Sequence, residues 1–408
     1  MTLTRDARLV LAAQAVRAFA YGLGSVLLGT SLEQRGLSSV DVGFVLASVV
    51  AGTVLASIVV ARWGDRLGRR RSYAALYAAL AVVGVVFAYA SSPWWLVLVA
   101  LTGAMSTEVV ESGPFTSLEQ AMLSSELSGR SRLRGFGVYN AVATAAGSLG
   151  ALAAVVPGLL RRYWTGAPAD ARWFLLFVPA AVAGFVLAGR LSSKVEPIAA
   201  RPSSHADMGG PAAGRLGPSR AVVVRLAGLF ATDSFGGGFV VQSFIAFWLA
   251  RRFGATTGMV GMLFFAFGLL QTASFLTAPR LAERFGLLAT MVFSHLPSNL
   301  LLAAVAFAPN LPVAVVLLLA RVALSQMDVP TRQAYVMALV TPEERTAAAA
   351  YTNTARYLVR PVGPALAGAA AATAMGAPFV IAGLIKGLYD VALWTWFRRV
   401  PLPEEVEV

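Results

Sequence analysis

Unbroken apolar runs recur along the whole 408-residue chain, and they decide the solvent in which it folds. Stretches such as Val82 to Ala90 and Val313 to Ala320 carry no charge and no polar alternation. A membrane barrel needs segments of about ten residues alternating in polarity, so these runs read as helices. Only 13% of the residues are charged, against about 25% in a soluble domain. The mean hydropathy of +0.70 cannot come from one anchor on a soluble body, which excludes an ordinary soluble enzyme. Crossing a bilayer takes about 20 residues per helix, so twelve spans use roughly 240 to 300 residues. Apolar windows between polar breaks place helices near 8–31, 40–62, 72–91, 94–122, 135–158, 172–191, 222–249, 258–279, 287–307, 311–340, 346–372 and 376–397. The expected fold is an all-α membrane protein of twelve transmembrane helices.

The net charge of +13 takes its meaning from where the arginines lie. Arg5, Arg8, Arg62, Arg66, Arg69 to Arg71, Arg130, Arg132, Arg134, the 190–225 segment, Arg280, Arg284, Arg345, Arg398 and Arg399 fall on one side of the twelve spans. Positive charge stays inside, so both termini are expected in the cytoplasm, with the basic loops against anionic headgroups and no nucleic-acid partner. The 159–172 loop, with Arg161, Arg162 and Arg172, runs against this rule. No charged segment followed by a small-residue cleavage site precedes the first helix, which is expected to stay in the mature chain. Ala and Arg usage points to a GC-rich bacterial source and so to a bacterial inner membrane. Absence of cysteine excludes disulfides, thiolate zinc sites and thiol nucleophiles, and two histidines are too few for a histidine-rich metal site, so neither cofactor nor metal is expected.

Leu191 to Arg220 is rich in Pro, Gly, Ser and Ala and cannot bury a core. It divides the chain into 1–191, a cytoplasmic linker over 192–221, and 222–408. His205 lies in the linker and reads as solvated. The two halves repeat: at an offset of 213, Ser117-Leu-Glu-Gln-Ala121 meets Pro330-Thr-Arg-Gln-Ala334, Arg132 meets Arg345, Asn140 meets Asn353 and Gly150 meets Gly363. At an offset of 218, Gly64-Asp-Arg-Leu-Gly68 meets Ala282-Glu-Arg-Phe-Gly286. Parallel six-helix repeats related by an axis along the membrane normal are the architecture of alternating-access carriers.

The segment Ala61-Arg-Trp-Gly-Asp65-Arg66-Leu-Gly68-Arg69-Arg70-Arg71 is similar to the loop signature of the major facilitator superfamily, with Ala61 at the family's leading Gly. The second copy has Pro279 there, Glu283 for Asp and no basic tail. The resemblance covers essentially the whole chain and implies two pseudo-symmetric six-helix bundles around a central path lined by the first, fourth, seventh and tenth helices. It also implies that Asp65, Arg66, Gly68 and Arg69 latch the cytoplasmic side. Independently, Gly68 suits a tight turn, Asp65 suits a helix N-terminus, and the arginines suit anionic headgroups.

Charges inside a membrane are costly and mark function by default. The fourth helix carries Glu108, Glu111 and Glu119, and the tenth carries Arg321, Asp328 and Arg332. Arg17 stands in the first, Asp233 in the seventh, Arg356 and Arg360 in the eleventh. The 213 offset aligns Glu108 with Arg321 and Glu119 with Arg332, so attraction across the two halves is expected, the first pair at the site and the second in an inner gate. The rival pairing is local, Asp328 with Arg332 four residues on. Asp233, Glu108 and Glu111 are the candidate proton carriers, since a carboxylate alternately buried and paired changes its affinity for protons. Asp233 precedes the flexible Phe235-Gly-Gly-Gly238 and stands near the repeat-equivalent of Arg17, with which it would otherwise form a permanent ion pair. Lys386 with Asp390, and His295 with Asn299, read as local pairs on the twelfth and ninth helices. Gly147, Gly150 and Gly363-Pro364 are expected to allow close helix packing or bending. Arg17, Tyr21, Glu108, Glu111, Gln242, Arg321, Arg356 and Arg360 are the candidate substrate contacts.

The expected activity is secondary transport of a small organic or amphipathic solute by a monomer, coupled to protons, with efflux favoured by the acids of the fourth helix. The rival is a carrier of small organic anions held by the intramembrane arginines through forked hydrogen bonds. A membrane enzyme is disfavoured because no HExxH, phosphate loop or paired histidine set is present.

Overall fold

The computed structural model describes residues 4–106, 113–126, 129–168, 170–196, 216–341 and 344–400. Helices fall in all twelve expected windows. They are α1 (Arg5–Gln34), α2 (Ser39–Leu67), α3 (Arg69–Tyr89), α4 (Pro93–Ala100), α5 (Pro114–Glu126), α6 (Gly129–Ala153), α7 (Val156–Tyr163) and α8 (Phe177–Gly189) in the first half. The second half has α9 (Arg220–Gly238), α10 (Gln242–Phe253), α11 (Thr257–Phe285), α12 (Leu287–Val305), α13 (Leu311–Ser325), α14 (Asp328–Ala338), α15 (Arg345–Val359), α16 (Val362–Thr373) and α17 (Ala377–Phe397). Among the described residues, nine helices are long and apolar enough to cross a membrane. The other three windows hold helix pairs, α4 with α5, α9 with α10, and α15 with α16. Pro361 cannot donate to the helix ladder and stands at the last of these breaks, while Gly236-Gly-Gly238 ends α9.

Local chemistry sets the helix ends. Thr4 accepts from the Ala7 amide at 3.1 Å, Ser38 from Asp41 at 3.1 Å and Asn310 from Val313 at 3.1 Å, each supplying a partner that the first helical turn lacks. Gly36 and Gly68 take φ of +67° and +91°, which a side chain would strain, and so turn the chain from α1 to α2 and from α2 to α3.

Two compact units result. The first is Met1–Arg201 together with Val241–Gly268, and the second is Pro202–Val240 together with Leu269–Val408. In the first, α1 runs through the middle, packed on α6, α10 and α8. Lipid offers helices little hydrophobic reason to associate, so backbone proximity through small residues matters. A Cβ on Gly22 would strike the Gly147 carbonyl, one on Gly150 the Phe19 carbonyl, and one on Gly29 the Ser243 carbonyl. In the second unit α9 packs on α15 and α17, and α12 on α17 and α13. Gly238 and Gly363 face each other so closely that neither has room for a side chain. Val223, Leu226, Phe230, Tyr335 and Tyr389 form part of its apolar core.

Candidate functional site

Each unit buries a cluster of charge. In the first, Arg17 on α1 grips Glu119 on α5 with both forks: Nε donates to Oε1 at 3.1 Å and Nη2 to Oε2 at 2.7 Å. Tyr73 donates to Oε1 at 2.7 Å and Tyr139 to Oε2 at 2.6 Å, so each carboxylate oxygen accepts twice. The guanidinium lies 5.1 Å from the Tyr21 ring centroid and 5.4 Å from that of Phe115. Arg17 is 2% exposed and Glu119 fully buried, so the pair depends on this saturation of its hydrogen-bonding capacity.

The second cluster is larger. Asp233 on α9 takes an ion pair from Lys386 on α17 and faces Arg332 Nη1 on α14 at 3.6 Å and His295 Nε2 on α12 at 3.8 Å. Arg332 Nη1 also donates to Asp328 at 2.8 Å. His295 Nδ1 lies 2.8 Å from Asp390 Oδ1, and Asn299 donates to Asp390 Oδ2 at 2.7 Å. Arg356 adds its charge from α15, its Nε buried without a hydrogen-bond partner among the described residues.

These partners correct the expected pairings. Glu119 and Arg332 are neutralised by Arg17 and by Asp328 with Asp233, each within its own unit, because a buried fork finds its partner on the helix packed against it. Asp233 is paired with Lys386 rather than Arg17. Lys386 and Asp390, expected to pair along one helix, point to Asp233 and His295 respectively. His295 and Asn299 do share a face and hydrogen-bonding partners, as read from their spacing. The repeat is nevertheless visible in the chemistry. Arg17 and Asp233, Gly22 and Gly238, and Gly147 and Gly363 all stand 216 positions apart. The first unit's arginine–glutamate pair thus recurs in the second with its polarity reversed, on the same glycine-packed helices.

A third constellation lies at the end of the first unit formed by the α1–α2 loop and the start of α11. Asp170, 2% exposed, accepts from Gln34 at 2.6 Å and from the Thr257 hydroxyl, and pairs with Arg161. Arg251 lies 3.4 Å from Glu33 and donates to the Leu37 carbonyl at 2.9 Å, and Ser243 donates to the Ser25 carbonyl at 2.9 Å. Arg172 stacks over Tyr89 with 3.9 Å to the centroid. Two of the three arginines that break the charge rule in the 159–172 loop therefore have structural partners.

Helical windows throughout, apolar spans and paired intramembrane charges are joined by one further observation: a family-wide sequence profile, that of the Major Facilitator Superfamily, matches residues 10–249 and again 226–408. The chain belongs to the Major Facilitator Superfamily. It is a multi-pass membrane transporter of a solute and not an enzyme. An uncharacterized membrane protein of Saccharomyces cerevisiae, YJR124C, is 26% identical over 394 residues, covering 90% of this chain and 88% of its own. A bacterial homologue of the lysosomal transporter Spinster, in an inward-facing, occupied conformation, superposes with a TM-score of 0.71 at 16% identity over 97% of this chain and 96% of that one. The nucleoside transporter NupG does so with 0.69 at 14% identity over 97% and 99%. At these identities the two structures establish the fold.

The superfamily's signature loop is held by a residue that sequence reading missed. Glu196, after α8, accepts from the amides of Arg69 at 2.6 Å and Arg70 at 3.2 Å, occupying the N-terminus of α3. Arg70 donates to the Gly189 carbonyl at 3.1 Å, and Asp6 accepts from the Ser192 amide at 3.1 Å and from its hydroxyl. Gly68 provides the expected turn and Arg66 is exposed. Glu108, Glu111 and the side chain of Asp65 lie outside the described residues. Tyr21 is buried and donates to the Ala104 carbonyl at 2.7 Å, while Gln242, Arg321, Arg356 and Arg360 are half-buried on α10, α13, α15 and its C-terminal cap. No cluster of three or more metal-ligating side chains occurs among the described residues.

Proposed function

We propose that this transporter couples solute movement to protons and exports a small organic or amphipathic compound by alternating access, as a monomer in a bacterial inner membrane with both termini cytoplasmic. The observation that supports coupling is the second unit's buried cluster, in which one carboxylate, Asp233, faces Lys386, Arg332 and His295 from three different helices. Protonating Asp233 removes the charge that draws Lys386 and Arg332 to it, and so loosens α17 and α14 from α9. Losing the proton restores the ties. The first unit's Arg17–Glu119 pair, closed by two tyrosines, serves as the rigid counterpart. Glu33–Arg251 and the contacts of Asp170 act as the external gate, and the Gly68 loop with Glu196 braces the cytoplasmic side. Gln242, Arg321, Arg356 and Arg360 are the proposed solute contacts. The Nε of Arg356, buried without a hydrogen-bond partner among the described residues, favours, as a second reading, an anionic solute for these arginines.

Purified protein is first challenged with tetraphenylphosphonium, benzoate and uridine at pH 5.5 and 8, because a ligand that binds only the folded state raises its thermal stability. Cation stabilisation that is stronger at pH 8 supports export of amphipathic cations, and benzoate stabilisation supports the anion reading. With the stabilising compound in liposomes, Asp233→Asn is expected to lose pH-driven flux and keep solute exchange. Retention of the wild-type pH dependence rejects Asp233 as the proton carrier.

A further inference from the structure

The groups that face one another from every helix around Asp233 are Asp233 itself (α9), His295 with Asn299 (α12), Asp328 and Arg332 (α14), Arg356 (α15), and Lys386, Tyr389 and Asp390 (α17). Three carboxylates stand against three cationic side chains, so formal charge balances with a neutral imidazole. The cations are not evenly placed. Asp233 has Lys386 and Arg332, and Asp328 has Arg332, but among the described residues Asp390 has the Asn299 amide and His295 as its hydrogen-bond partners. The two ring nitrogens of His295 meet different acids, Nδ1 toward Asp390 at 2.8 Å and Nε2 toward Asp233 at 3.8 Å. An imidazole can take a proton on one nitrogen and give one up from the other, and it changes charge between about pH 5 and 8, where the remaining groups ordinarily do not.

We propose that His295 is a proton relay between Asp233 and Asp390, which makes Asp390 a second proton-holding residue of the transport cycle. In the resting arrangement Nδ1–H donates to the Asp390 carboxylate and the Nε2 lone pair faces Asp233. A proton on Asp233 passes to Nε2, giving imidazolium between two carboxylates. The Nδ1 proton then moves to Asp390 and leaves a neutral ring protonated at Nε2. A ring flip, or return through the same steps, resets the relay. Asn299 holds the far oxygen of Asp390 so that its near oxygen stays on Nδ1, and Tyr389 packs edge-on against the ring at 5.9 Å between centroids. The relay extends the proton-coupled reading of Asp233 and rests on it.

The chain has only two histidines, so ring nitrogens can be assigned in the full-length protein. Nitrogen-15 imidazole spectra of His205→Gln protein, reconstituted in nanodiscs, would report His295 alone. The relay requires a neutral ring protonated on Nδ1 at high pH and a change of its protonation state on acidification. It also requires that Asp390→Asn weaken the hold on the Nδ1 proton, so that the neutral ring no longer carries it on Nδ1 alone. A ring that keeps one protonation state from pH 5 to 9, or whose neutral form carries its proton on Nε2, overturns the proposal. The wild-type titration needs no variant in the cluster, so misfolding of Asp390→Asn does not shield the idea. Failure of Asp233 as carrier is read separately from the exchange assay: pH-driven flux lost in Asp233→Asn but unchanged in His295→Gln leaves proton coupling standing and removes the relay.

Discussion

Glu119 shows why intramembrane charge does not by itself identify moving parts. Its oxygens accept four hydrogen bonds from three residues, and removing one partner strands the others. Breaking a buried pair in this way costs about 3–5 kcal/mol, whereas removing both members is far milder. Glu119→Gln and Arg17→Gln are therefore each expected to lower the melting temperature strongly. The double variant should lose less than the sum, measured as a double-mutant cycle by thermal unfolding. Additive losses would show that the two residues act independently. The sequence identified these charges and even their repeat relationship, because ionisable groups stand out in apolar helices. It did not assign partners, since that depends on which helices are neighbours. Tyr73 and Tyr139 were missed for the same reason: a tyrosine in a membrane helix carries no signal until an acceptor is placed beside it.

At the scale of the element, the apolar windows were legible in place, because the thickness of a bilayer imposes a length, but their ends miss by as much as six residues, at Gly129 and Phe285. The internal breaks were partly so: the flexible Phe235-Gly-Gly-Gly238 ends α9, whereas the bend expected at Gly363-Pro364 falls just before it, at Pro361. Glycine spacing carries a further expectation. Gly363→Val must push α16 away from α9 and is expected to cost about 1–3 kcal/mol or more through overpacking. Gly228→Ala, on the same α9 but with open space around it, should be neutral or stabilising by about 0.5–1 kcal/mol. Melting temperatures of the two variants test this contrast, and equal losses would contradict the packing argument. The start of α9 is tied by Glu344, which accepts from the Gly217 amide. The Ser219 hydroxyl, helped by the Gly217 and Ser219 amides, holds the Glu344 carboxyl below the usual carboxylate range. A lowered value means stability that is present above the ordinary carboxylate pKa of about 4.3 and lost as pH falls through the lowered one. The stability difference between wild type and Glu344→Gln should thus be constant near neutrality and begin to shrink as pH falls below the ordinary carboxylate pKa of about 4.3. A difference that does not change between neutral pH and the acid limit of folding would reject the tie.

For the whole molecule, the sequence repeat and the compact units divide the chain differently. Val241–Gly268 belongs to the second repeat by alignment and to the first unit by packing, through Ser243, Arg251 and Thr257. Nothing in the sequence announces this, because those contacts use ordinary surface-type residues and a backbone carbonyl. If they form the external gate, Asp170→Asn should open it. The chain has no cysteine, so Ser25→Cys, buried beneath Ser243, supplies a clean probe. Labelling by a membrane-impermeant maleimide from outside is expected to rise severalfold in the Asp170→Asn background, and unchanged labelling would place the gate elsewhere. The same division bears on how the protein is made. Domains generally fold as they emerge during synthesis, the N-terminal one first. The first six spans contain both members of the buried Arg17–Glu119 pair, so neither of these two charges waits for the second half. Yet the unit they belong to stays unfinished until Gly268 has been translated, which ties the last folding step of the first unit to insertion of the seventh and eighth spans.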